Sequence, residues 1–325
     1  MNPLTLLARR REYAVALALA LTIAVAGIVN PAFLAAGNLR DILVQVVPAA
    51  IVGCGLTFVI VTGEIDISVG SSMGLLAAVL GQLCSPLHAG LPVWVAVVLT
   101  LLAGTLIGLV NGLLVTVARV PSIIVTLGML TALRGATEML MAGKWITDLP
   151  SALRFLGTGS VLGMRVSLWM AALVIVTSIL FARNTALGRR VYAVGSNPHA
   201  AHLAGLSVGR IKIFVFTLTG FLVGVATLVS VPQLSVIESG IGIGLELLVV
   251  TCVVVGGTSI SGGKGTIIGT ILGVGLLGIV RTVLIFLNLG ERSVYWERAI
   301  QGGFILAAVL ADNFAQKNKR GEAHA

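Results

Sequence analysis

What this 325-residue chain has little of narrows its class before any motif is read. Charged residues make up 10% of it and aromatics 5%; histidine occurs four times and cysteine three times. A water-soluble domain carries about a quarter charged residues, so the shortage of charge excludes an ordinary globular fold. Cys54, Cys84 and Cys252 are scattered, odd in number, and set in or at the ends of apolar blocks. They form neither a disulfide framework nor a metal motif. No Ser/His/Asp, Cys/His or paired-carboxylate constellation argues for bond chemistry, so neither an enzymatic activity nor a cofactor is expected.

What is present is apolar. Hydrophobic residues make up 57% of the chain, the mean hydropathy is +1.08, and the apolar residues come in long blocks. Forty glycines suit helices that approach closely in lipid, where small residues let backbones pack. The net charge of +9 sits between the blocks, with no basic stripe or interleaved aromatics, which argues against nucleic acid.

Apolar blocks long enough to span lie at 13–30, 42–62, 69–83, 93–117, 123–141, 166–182, 211–231, 244–256, 266–287 and 298–311. The third, eighth and tenth are short, so the expectation is an all-α polytopic bundle of eight to ten transmembrane segments, some broken, forming one domain over 1–325. With ten spans, Arg9, Arg10, Arg11, Arg119, Arg183, Arg189, Arg190, Arg210, Lys212, Lys264, Lys317, Lys319 and Arg320 share one side. The other side holds Arg40, Lys144, Arg154, Arg165, Arg292 and Arg298. The basic excess belongs in the cytoplasm, which places both termini there. A cleavable signal peptide is the rival reading of the start, because Arg9 to Arg11 precede an apolar stretch and Ala24-Val25-Ala26 resembles a cleavage site. The length of the stretch favours a retained span.

Two polar breaks interrupt the apolar pattern. Residues 62–74 carry Glu64, Asp66, Ser68 and Gly70, and residues 256–266 carry Ser261 and Gly263. A break leaves backbone groups unpaired, so it must be buried in protein or line a wet cavity. A translocation or gating role competes with an ordinary turn in which Asp66 or Ser68 caps the next helix. Ile67-Ser68-Val69-Gly70 aligns with Ile260-Ser261-Gly262-Gly263, which suggests an internal repeat, and paired breaks point to a transport pathway. The second break is not a phosphate-binding loop: Thr258 stands where the first glycine belongs and Gly265 where the hydroxyl belongs.

Arg134 and Glu138, four apart in the fifth span, share a helix face as an intramembrane charge pair. Arg281 in the ninth span also needs a partner, with Glu246 as a possible counter-ion. The cytoplasmic segment from Arg183 to Lys212 contains a bounded short helix, with Asn197 as cap, Pro198 as first residue and Gly205 as stop. Too short to stand alone in water, it must dock, either on its own helix ends or on a separate cytoplasmic protein. His199 and His202 have no further ligands beside them to complete a metal shell. The outer loop at 143–167 carries Trp145, Asp148, Arg154 and Arg165, suited to interfacial anchoring or an external partner.

Several blocks taken in order resemble the ribose, xylose, arabinose and autoinducer-2 type permeases of bacterial ATP-binding-cassette importers, over nearly the whole chain. They are Gly63 to Ser71, Asn111-Gly112, Pro121 to Gly128, Thr185 to Arg189, Ala193 to Asn197 with Ala201 and Gly205, and Gly256 to Gly263. The resemblance implies a multi-pass permease of the inner membrane that pairs with a second permease copy, identical or sister. It also implies two ATPase subunits, a periplasmic sugar-binding protein and a monosaccharide-like substrate. Gly188, Arg189, Gly195, Asn197, Ala201 and Gly205 then belong to the segment coupled to the ATPase. Glu64 departs from the paired glycines common in the family, and Gly143 to Ile146 with Leu149-Pro150 looks like the autoinducer-2 and rhamnose branches. The rival class is a secondary carrier using Glu64, Asp66 or Glu138 as proton or sodium sites.

The charge asymmetry predicts that Ser196 is cytoplasmic and Ser151 external. In a background without native cysteines, an impermeant thiol reagent on intact cells should label a cysteine at 151 and not one at 196; labelling at 196 overturns the span count.

Overall fold

The computed structural model describes residues 11–287 together with 296, 297, 299–304, 306, 307 and 310. Arg9, Arg10, Arg292, Arg298, Lys317, Lys319 and Arg320, with positions 305, 308, 309 and 311 of the tenth expected span, lie outside the described residues. Helices account for nearly all the regular structure. They are α1 (Arg11–Val29), α2 (Ala36–Val61), α3 (Val69–Cys84), α4 (Val93–Thr116), α5 (Ser122–Met141) and α6 (Ser151–Thr158). After a short hairpin, β1 (Ser160–Val161) with β2 (Met164–Arg165), come α7 (Val166–Asn184), α8 (Ala186–Ser196), α9 (Pro198–Leu203) and α10 (Val208–Ser230). The series ends with α11 (Leu245–Val255), α12 (Ile267–Gly278) and α13 (Val280–Phe286).

Among the described residues seven helical stretches are long and apolar enough to cross a membrane, and they match the first, second, fourth, fifth, sixth, seventh and ninth expected spans. The ninth runs from Ile267 to Phe286 through α12 and α13. Of the three remaining blocks, the third and eighth form shorter helices of 16 residues in α3 and 11 in α11, and the described residues of the tenth are helical. At 1.5 Å per residue, α11 rises only about 16 Å, roughly half a hydrocarbon core. Its block is discontinuous for a local reason: Gly242 and Gly244 sit at φ +81° and +85°, where a helix cannot continue. Ahead of them the chain is irregular, pinned by a two-way backbone pair between Ile237 and Ile146 of the 143–167 loop. That loop is more ordered than the sequence indicates, since it contains α6 and the hairpin.

Helix α2 is the central post. From Val47 to Val61 nearly every side chain is buried, packed by α7, α10, α11 and α12, whereas α1 lies outermost and keeps most of its surface exposed. Small residues set a close crossing between α4 and α10. A Cβ added at Gly220 would lie 2.2 Å from the Gly104 carbonyl oxygen, and one at Gly108 would lie 2.3 Å from that of Phe216. Lipid supplies no hydrophobic drive for such a contact, so close backbone packing must supply the attraction.

The crossing gives a paired test. Gly220→Ala should destabilise the detergent-solubilised protein by about 1–3 kcal/mol, because backbone on the facing helix cannot rotate away. Gly209→Ala, whose new Cβ would meet nothing nearer than 3.8 Å, should be neutral or stabilising by up to about 1 kcal/mol. Thermal unfolding midpoints of the two variants decide it, and equal shifts would remove the crossing from its place in the packing.

Candidate functional site

The first break, expected over 62–74, is irregular only over 62–68 because α3 already begins at Val69, and it gathers side chains from three other helices at the end of α2. Gly63, at φ +81°, turns the chain out of α2. Ile65 N–H donates to Ser122 Oγ of α5 at 3.2 Å, and Thr126 Oγ1 donates to the Ile65 carbonyl at 3.3 Å. Glu64 forms a salt bridge with Lys212 of α10, both side chains largely shielded from solvent. Backbone freed by the break at Ile65 is therefore satisfied by side chains inside the protein.

Asp66 and Ser68 organise the start of α3. Asp66 Oδ1 accepts from the Ser68 N–H at 2.8 Å and from Ser68 Oγ at 2.7 Å. The Ser68 carbonyl accepts from Ser71 Oγ and Ser72 Oγ. Asn111 of α4 closes the cluster, donating through Nδ2 to Ser68 Oγ at 2.9 Å and to Asp66 Oδ2 at 3.4 Å. Asp66, Ser68 and Asn111 are all buried. Burial pushes the Asp66 carboxyl above its ordinary range, and the hydrogen bonds from Ser68 and Asn111 oppose that rise. In this conformation the acid and the hydroxyl hold a helix start. Neither is exposed to a passing solute.

Gly70 faces the discontinuous segment: a Cβ there would lie 1.9 Å from Glu246 Oε2 and 2.5 Å from the Gly242 carbonyl. Glu246, in the first turn of α11, accepts the Gly244 N–H through Oε1 at 3.2 Å. Arg134 reaches the same segment, donating through Nη1 to the carbonyls of Ser239 (2.7 Å) and Ile241 (3.0 Å). No Arg134–Glu138 ion pair forms within 4 Å, since the guanidinium is drawn to carbonyls of another segment and Glu138, one turn on, stays exposed. Arg281 lies 3.9 Å from Glu297, so Glu246 is not its counter-ion.

The second break, residues 256–266, folds as a turn. Ser259 N–H donates to the Lys264 carbonyl and Gly262 N–H to that of Ser259, and Thr266 caps α12 by accepting from the Gly269 N–H at 3.0 Å. Ser261 is exposed, and α12 begins only at Ile267. The aligned tetrapeptides are therefore not structurally equivalent: Ser68 is a buried helix start and Ser261 a surface turn residue.

The 185–206 segment is two helices. The short one matches its expected punctuation, with Asn197 Oδ1 accepting the Ala200 N–H at 2.9 Å, Pro198 first, and Gly205 at φ +81°. The sequence reading missed α8, which Thr185 caps by accepting the Gly188 N–H at 2.9 Å. The spacing of Gly188, Val191 and Val194, all buried, was the available signal. Ala201 is also buried, against the chain's own core, so it cannot present a face to a separate protein. Gly188 packs inward too, a Cβ there falling 2.2 Å from the Phe181 carbonyl. Arg189, Asn197, Pro198, His199 and Leu203 face outward.

The Asp66 cluster carries a pH dependence. Its carboxyl is raised in the folded state above an unfolded value near 3.8, so the folded chain binds the proton more tightly. Stability is then greatest in acid and falls as pH rises from the unfolded value through the folded one. Asp66→Asn should flatten that decline, because an amide does not titrate, and the buried, unpartnered Asn111 Oδ1 offers the new amide an acceptor. Thermal midpoints of both proteins across the acid-to-neutral range test this, and parallel profiles would exclude Asp66 as the source.

The sequence family described as the branched-chain amino acid transport system permease component matches residues 38–309. A ribose import permease protein of Haemophilus influenzae is 37% identical over 307 residues, covering 93% of each chain. The ribose import permease protein of Escherichia coli K12 is 37% identical over 306 residues, 92% of this chain and 93% of that one. An autoinducer 2 import system permease protein of Yersinia pseudotuberculosis is 35% identical over 302 residues, 93% of this chain and 84% of that one. No solved structure matches. A bundle of apolar helices with two polar breaks folded against it, matched over most of its length by these proteins, belongs to the family of membrane permease components of transport systems.

Proposed function

We propose that the chain is the membrane-spanning subunit of an ATP-driven importer in the bacterial inner membrane, carrying a monosaccharide or sugar-like solute. Its relatives' names as ribose and autoinducer 2 import permeases support the solute class. On this reading the chain crosses the membrane ten times with both termini in the cytoplasm, and the 185–206 segment and both breaks lie at the cytoplasmic side. A periplasmic binding protein delivers the solute, a second permease copy completes the pathway, and ATP is hydrolysed by a separate subunit. Glu64, Asp66, Ser68, Gly70, Ser261 and Gly263 then belong to the gate, as supports of its backbone rather than as solute ligands.

The observation that carries the reading is the two-sidedness of α8 and α9. Their inner faces, through Val191, Val194 and Ala201, join the core, while the outer face of α9 keeps Leu203 76% exposed beside Pro198 and His199. A six-residue helix held rigidly to the bundle with an apolar residue outward suits a docking element for the ATPase. The secondary-carrier reading is weakened by the same geometry: Lys212 neutralises Glu64, and Asp66 is committed to the start of α3.

Leu203→Asp should release the ATPase and lower ATP-driven uptake at least about tenfold, since an unpaired carboxylate at a dry contact costs several kcal/mol. The permease should still insert and accumulate. Permease abundance, ATPase co-purification and uptake of labelled ribose into vesicles are the measurements. Uptake driven by a proton or sodium gradient without the ATPase would replace the importer reading with the carrier.

A further inference from the structure

The last carbonyls of an α-helix have no partner within it, and one left bare in a membrane bundle is costly. Helix α2 ends at Val61, and the Val61 carbonyl accepts the N–H of Gly263 at 2.8 Å. The end of the central post is thus closed by the second break. Gly262 lies alongside: a Cβ there would come within 3.0 Å of the Val61 carbonyl, the Gly63 N–H and the Gly195 carbonyl together.

Helix α8 meets this junction with bare backbone. A Cβ at Gly195 would lie 1.7 Å from the Val61 carbonyl oxygen and 2.8 Å from Gly263 N. A Cβ at Gly263 would lie 2.8 Å from Ser196 Cα. Three positions before Gly195, on the same helix face, Tyr192 donates its hydroxyl to the Gly265 carbonyl at 2.9 Å. The outward-facing segment therefore touches the end of α2 and both ends of the 263–265 turn.

We propose that Gly195 and Tyr192 form, with Val61, Gly63 and Gly263, a single joint through which movement of the 185–206 segment reaches both backbone breaks at once. The physical ground is stiffness. Side chains yield by changing rotamer, whereas contacts between backbones at van der Waals distance move only as a unit. A displacement of α8 driven from its exposed face must shift Val61 to Gly63, and with them the start of α3. It must equally shift Gly263 to Gly265, and with them the start of α12. Gly195 and Tyr192 are positioning residues in this device, and neither needs to touch solute or ATP. The inference rests on the importer reading, in which the ATPase moves the segment.

The test uses the full complex of permease, ATPase and binding protein, with ATP and vanadate as the probe. Reporter cysteines replace Ile67 in the first break and Ser261 in the second, one at a time, in a background without Cys54, Cys84 and Cys252. Vanadate trapping should change the maleimide labelling rate at both reporters. With Gly195→Ala, the ATPase should stay attached and hydrolyse ATP while both changes disappear. Tyr192→Phe keeps the backbone contact and loses one hydrogen bond, so both changes should shrink together by about two- to tenfold, the range set by the net worth of such a bond. Full response at either reporter in Gly195→Ala, or response at one without the other, overturns the joint. Should Gly195→Ala fail to accumulate, an undiminished response in Tyr192→Phe overturns it. Failure of the ATPase to co-purify with the unsubstituted permease would instead count against the importer reading.

Discussion

The constraint on which the structure depends is that hydrocarbon offers no hydrogen bonds, so every place where a helix stops inside the bundle must be closed by another part of the chain. The first break shows how this is done. Its backbone is held by Ser122 and Thr126 from α5, its acids by Lys212 from α10 and by Ser68 and Asn111, and the carbonyl just ahead of it by Gly263. The closures come from α4, α5, α10 and the second break. The break is accordingly a hub, and its polar residues serve backbone geometry first.

Small residues make those closures reachable. Gly104, Gly108 and Gly220 bring α4 against α10, which places Asn111 beside Asp66. Gly70 and Gly74 let the irregular chain ahead of α11 lie directly on α3, with Arg134 reaching across to its carbonyls. The abundance of glycine thus has a local meaning at each crossing: the polar network exists only because backbones come close enough for short side chains to span the gap.

Much of this was legible in the sequence, and what was not has a physical reason. Apolar block length located the spans, because length against a fixed bilayer thickness is a strong signal. Polar density located the breaks, and Asn197, Pro198 and Gly205 marked a six-residue helix. The resemblance rested on Asn111 without assigning it a role, since a lone asparagine in an apolar run has no local partner to betray its task. Arg134 and Glu138 misled because helix spacing records proximity but not what else competes, and two bare carbonyls on another segment hold the guanidinium. Ala201 misled in a related way: a docking helix has two faces, and without the fold nothing told which one the alanine occupies.

The hydrogen bond between Gly263 and Val61 has a bearing on how the protein is made. The central helix is among the first to leave the ribosome, yet the group that completes its end belongs to the last third of the chain. Until that part arrives, the carbonyl must keep water or some temporary partner, and α2 cannot take its final seat. Contacts so distant in sequence form late. The end of α2 in this permease therefore reaches its final closure only once Gly263, about 200 residues later, has been synthesised.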